Sequence, residues 1–60
     1  MDKNVKRNAV RMALNIKAKY ADRGWGFLRG PTVEALTDYY NISVENAILC
    51  YKIAARCAIT

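Results

Sequence analysis

The two thiols, Cys50 and Cys57, are the strongest potential nucleophiles in this 60-residue sequence, and no histidine accompanies them. A cysteine becomes reactive when a nearby base or cation favours the thiolate in a polar, open surrounding. Both thiols instead stand among Ala, Ile and Leu in AILCYKIAARCAI. The carboxylates Asp22, Glu34, Asp38 and Glu45 are scattered along the chain, so no pair is poised for general acid–base work. There is no GxxxxGK phosphate loop, and two cysteines without histidine fall short of a tetrahedral zinc site. On one helix, seven residues put the thiols about 10.5 Å apart along the axis, beyond the reach of a disulfide. The residues therefore point away from an enzyme and imply no metal, cofactor or small-molecule substrate. Two reduced, buried thiols are expected, with an intermolecular disulfide as the alternative.

The remaining chemistry lies in charge. Residues 1–30 carry eight cations against two carboxylates, a net of +6, whereas residues 31–60 carry two against three, a net of −1. A basic half favours an anionic partner. Lys6, Arg7, Arg11, Lys17 and Lys19 are the candidate phosphate contacts, with Asn8 and Asn15 alongside them. Cations at the start of a helix oppose its macrodipole, a mild local cost that suggests another use for them.

These residues must be positioned by very little protein. A chain of this length buries only about 60% of the surface its unfolded form exposes, so one domain is the limit and its core is marginal. With 53% hydrophobic residues it is too apolar for a disordered tail. No apolar run approaches the roughly 20 residues of a membrane span, and the basic start leads into no signal core. A cytoplasmic protein that does not enter membranes is expected.

Val5, Ala9, Met12, Ala13, Ile16 and Tyr20 recur at helical spacing and predict a first helix over about 4–22. Asp2 or Asn4 would cap it and Gly24 would stop it. Val10 and Leu14 form a second narrow apolar strip, the mark of a helix touching two neighbours. Three glycines and Pro31 then predict a loop over 23–31, with Trp25, Phe27 and Leu28 folded back on the core. A second helix is expected over 32–40, with Gly30 or Thr32 as its cap and Val33, Leu36 and Tyr40 inward. Asn41 suits a left-handed exit and Ser43 a new cap, which leaves a three-residue turn before a third helix over 44–58. That third helix is polar only at Glu45, Asn46, Lys52 and Arg56, and its apolar residues run on to Ile59. It is apolar around more than half its circumference, which exceeds what three helices cover and predicts a homodimer or another protein partner.

The segment VEALTDYYNISVENAILCYKI, Val33 to Ile53, resembles the helix-turn-helix of small bacterial and phage DNA-binding regulators. Leu36, Thr37 and Tyr40 take the pattern's apolar, small and apolar places. Asn41 stands for the usual turn glycine, Ile42 and Ser43 follow, and Ala47 and Cys50 face inward. The resemblance implies an all-α fold of three helices and a transcription regulator whose third helix meets DNA. It would present Ser43, Val44, Glu45, Ile48, Leu49 and Lys52 to the duplex. Base edges are read by residues such as Arg, Lys, Asn, Gln, Ser or Thr, which leaves Ser43, Asn46 and Lys52 for that task. GWGFLRG is also similar to the aromatic-glycine-aromatic motif of cold-shock-type RNA binders, which implies rings stacked on bases from a strand. The chain has no room for the five-stranded barrel of those proteins.

The sequence thus predicts a small three-helix DNA-binding regulator. The alternative is a helical interaction module or inhibitor that meets an acidic protein surface through Trp25, Phe27, Ile48 and Leu49.

Overall fold

A computed structural model describes residues 1–59, and side chains as far as Ala58. It contains three helices, α1 (Lys3–Lys19), α2 (Trp25–Tyr40) and α3 (Val44–Ile59), each packed against the other two. The Ile59 side chain counted above lies outside the described part. Among the described residues no helix is long and apolar enough to cross a membrane.

The core follows from residue size. Ala9 and Ala13 of α1, Leu36 of α2, and Ala47, Cys50 and Ala54 of α3 form its buried cluster. Small side chains let helix axes approach closely, toward the short end of the usual 8–10 Å. Leu36 is the largest side chain buried completely. Val10, Met12, Leu14, Val33, Tyr40 and Ile42 pack around this seam, so the second strip of α1 does meet a neighbour. The Cα radius of gyration, 10.3 Å, is what a close-packed chain of this length should have.

Local chemistry sets the helix ends. The Asp2 carboxylate accepts the Asn4 backbone N–H at 2.7 Å, which starts α1. The helix stops at Lys19, earlier than expected, with the Tyr20 N–H bonded to the Ile16 carbonyl and Lys17 Nζ donating to the Ala21 carbonyl at 3.1 Å. A cation in this last turn complements the dipole. Asn41 adopts the left-handed conformation, φ 53° and ψ 44°, and Ser43 Oγ accepts the Asn46 N–H at 3.1 Å. The turn is the three-residue one the sequence predicts.

The start of α2 is a correction. There is no loop over 23–31: the helix begins at Trp25, and Gly24 is its N-cap rather than the stop of α1. Pro31 lies inside the helix, where it denies the Phe27 carbonyl its backbone partner; an interior proline costs about 3 kcal/mol or more. Tertiary contacts offset that cost. Leu28 is 3% exposed, and burying a leucine contributes about 2 kcal/mol. Trp25 packs against the core and edge-on to Tyr51, at 5.8 Å between ring centroids. The Tyr51 hydroxyl donates to the Trp25 carbonyl at 2.5 Å. Gly30 helps as well, because a residue without Cβ tolerates the helical conformation before proline. Thr32, expected as a cap, is buried completely, and its hydroxyl has no hydrogen-bond partner among the described residues.

Candidate nucleic-acid interface

α1 contains six cations, Lys3, Lys6, Arg7, Arg11, Lys17 and Lys19, and no carboxylate. Turning Ala9 and Ala13 into the core sends Arg7 and Arg11 to the opposite side of the helix, since residues advance by about 100° each. Asn4, Asn8, Asn15 and Lys19 share that exposed side. Among the described residues the one ion pair joins Arg23 to Asp22 at 3.7 Å, between exposed side chains in the turn after α1. Among the described residues no carboxylate is paired with the α1 face.

The other expected cations divide. Lys6 stays exposed on the flank nearer α3, close enough to the Cys50 thiol to oppose the rise in its pKa that burial causes. Lys17 is half-buried and holds the Ala21 carbonyl, so it is the least available for phosphate. Lys19 lies against the Tyr20 ring, 5.7 Å from its centroid. It also edges a shallow groove of about 300 Å³ with Asn8, Arg11, Asn15 and Tyr40.

The α3 positions make a different surface. Ser43 spends its hydroxyl on the Asn46 N–H, and Asn46 is itself half-buried. Lys52 is exposed, but Glu45, Ile48 and Leu49 border the same shallow depression. Val44 is 60% exposed and Leu49 44% exposed. A second groove, about 390 Å³, runs between α2 and α3 and is lined by Val33, Thr37, Val44 and Ile48 with Arg29 and Glu34 at its rim. The α1 groove holds no α3 residue, and the α3 depression no α1 residue, so the fold does not gather the two expected sets into one site.

The two aromatic expectations part ways. Trp25 folds back on the core as the sequence predicts. Phe27 does not fold back: it is 64% exposed, with the Arg23 guanidinium 4.9 Å from its ring centroid. Both lie on a helix, so GWGFLRG is not a base-stacking strand. Of the thiols only Cys50 is buried; Cys57 is exposed.

Asn4 and Tyr40 border the candidate site without a sequence expectation that places them there. Asn4 is a cap candidate by position, yet Asn4, Arg7, Asn8, Arg11 and Asn15 are spaced by three, one, three and four, the signature of one helix face. The place of Tyr40 beside α1 depends on the fold and leaves no such mark.

Compared with known proteins, the chain matches no family model, no curated protein and no solved structure at a significant level. The helix-turn-helix resemblance therefore rests on Val33 to Ile53 alone.

Proposed function

We propose that the protein binds nucleic acid, duplex DNA foremost, as a small regulator that grips phosphates with the outward face of α1. The observation that carries this reading is the set of cations on that face, Arg7, Arg11 and Lys19 with Lys3 and Lys6 beside them, and the lack of any carboxylate along α1. Such a face gains little from staying bare, because like charges repel and those nearest the N-terminus oppose the dipole. Against a polyanion each cation releases counterions, and binding becomes steeply salt-dependent. The helix-turn-helix resemblance of Val33 to Ile53 supports the regulator class, while the Ser43 hydroxyl, held by the Asn46 N–H, leaves its base-contact set of Ser43, Asn46 and Lys52 the weaker part of that resemblance.

The test is a titration into a fluorescently labelled random-sequence duplex at low and moderate salt, followed by anisotropy. Binding that collapses with salt, with a slope near −0.9 for each phosphate engaged, is the expected outcome. A folded protein that leaves the duplex unbound at low salt ends the reading.

A second reading has its own observation. Val44 and Leu49 are exposed on either side of the α3 charges, and Ile48 lines the groove beside α2. Exposed apolar groups of this kind favour a protein partner or a second copy of the chain. Phe27 is a further exposed ring available to such a partner.

A further inference from the structure

Resting on the nucleic-acid reading above, we infer that α1, and not α3, is the base-reading helix, and that its ligand is the major groove of B-form DNA.

Asn4, Arg7, Asn8, Arg11 and Asn15 fall within a sector of about 100° on α1 and are all exposed. Among the described residues none of these five side chains makes a hydrogen bond or an ion pair. A face that only kept the protein dissolved needs nothing beyond lysine and glutamate, and one that only held phosphate nothing beyond lysine and arginine, so the three asparagines exceed both. Arginine and asparagine both match base edges with paired bonds: arginine on guanine O6 and N7, asparagine on adenine N6 and N7.

Asparagine also costs something in this position. It is a poorer helix former than alanine by several tenths of a kcal/mol. Asn8 and Asn15 stand in the helix interior, where they cap nothing. The fold obtains no hydrogen bond in return, so their amides are available to a ligand.

The flanks complete the pattern. Lys3 borders the Arg7 edge of the stripe and Lys19 the Asn8 edge, one cation toward each wall of a groove. The stripe lies opposite the Ala9 and Ala13 seam, with Tyr40 of α2 bordering only its Asn8 and Lys19 edge, so its Arg7 and Arg11 side is open to approach. A helix of 17 residues is about 25 Å long and 10–12 Å across, which the roughly 12 Å major groove admits. Duplex RNA is disfavoured, since its major groove is too deep and narrow for a helix. On α3 the corresponding positions offer Glu45 flanked by Val44, Ile48 and Leu49, which would set a carboxylate against phosphate and leave polar base edges unpaired.

The test is selection of bound sequences from a random-core duplex pool with the full chain. Anisotropy then follows on the enriched duplex, a scrambled duplex of equal composition and the matching single strand. We expect an enriched motif containing G and A that binds at least tenfold better than the scramble. Asn8→Ala and Arg11→Lys should each relax the preference at one base pair by about tenfold, and Asn8→Ala should leave the salt slope unchanged. Lys19→Ala should weaken all duplexes alike and reduce the slope by about one. Circular dichroism of these surface variants checks that the fold is retained. Salt-dependent binding without any motif overturns the inference and leaves the nucleic-acid reading standing, as does equal affinity for the single strand. A motif indifferent to Asn8→Ala and Arg11→Lys but lost on Lys52→Ala also overturns it, by moving the reader to α3. Failure to bind any of the three nucleic acids at low salt removes the reading on which it rests.

Discussion

α1 and α3 differ by one residue in length and bury alanine-rich strips in the same core, yet they turn opposite chemistry outward. On α1 the outer face is arginine, asparagine and lysine without a carboxylate. On α3 it is Glu45, Lys52 and Arg56 between the apolar side chains of Val44 and Leu49. The inner strips are alike because close helix packing asks for small residues on both sides. The outer faces are under no such demand, and so their difference is where function is to be sought. Although α3 occupies the place of a recognition helix in the resemblance, its face is the less suited to a polyanion.

The largest expected effect breaks or keeps this contrast directly. Arg7→Ala with Arg11→Ala should lower duplex affinity at least about 30-fold. Lys52→Ala with Arg56→Ala should cost less than about fivefold. Equal losses from the two pairs, measured by anisotropy, would mean that both helices touch the duplex.

The thiols compare the middle and the C-terminal end of one side of α3, two turns apart. A thiol reagent should modify exposed Cys57 at least about tenfold faster than buried Cys50, which reacts through unfolding. Burial pushes the Cys50 thiol up, with Lys6 as a weaker opposing influence. The unfolded chain then loses its thiol proton first, so this contribution to stability is intact below the ordinary thiol range, near 8.5, and is lost as pH rises toward the folded value. Denaturant melts across that window, with Cys50→Ala as the reference, measure it; a decline that persists in the variant would belong to other groups.

Smaller effects sharpen the assignment of roles. Ser43→Ala removes the cap of α3 and should destabilise the fold by about 1 kcal/mol in a denaturant melt. Duplex affinity of the folded fraction should not change; a specific loss would return Ser43 to the DNA contact. Thr32→Val, behind both faces on α2, should stabilise by about 1 kcal/mol by removing a buried hydroxyl that lacks a partner. A destabilised variant would show that this hydroxyl is satisfied in solution, for instance by water. Leu49→Asp should change stability by less than about 0.5 kcal/mol, as surface substitutions do, while abolishing any self-association seen by sedimentation. Unaltered association would clear Leu49 of an interface role.

Much of this fold was legible in local chemistry. Helix periodicity marked α1 and α3, while Asp2, Asn41 and Ser43 announced the ends they occupy, because capping and left-handed exits depend on a few adjacent residues. The cations of α1 were equally plain, and so was the apolar surplus of α3, part of which remains uncovered at Val44 and Leu49. Of the candidate site, Arg7 and Arg11 needed only their spacing to be found.

What sequence alone determined, then, is which segments favour helix, where two of the three begin, and which face of α1 is charged. Only the tertiary structure decided that α2 starts at Trp25. Pro31 and the three glycines argue locally for a loop, and they are outweighed by Leu28 burial and by Tyr51 reaching across 26 residues to the Trp25 carbonyl. Tertiary packing also buried Cys50 and left Cys57, two turns further along the same side of α3, exposed, seated Trp25 and left Phe27 exposed. It withdrew Lys17 toward Ala21 and Ser43 toward its own helix. The physical reason is common to all of these: propensity and capping act over one or two turns, whereas burial is settled by which other helix lies alongside.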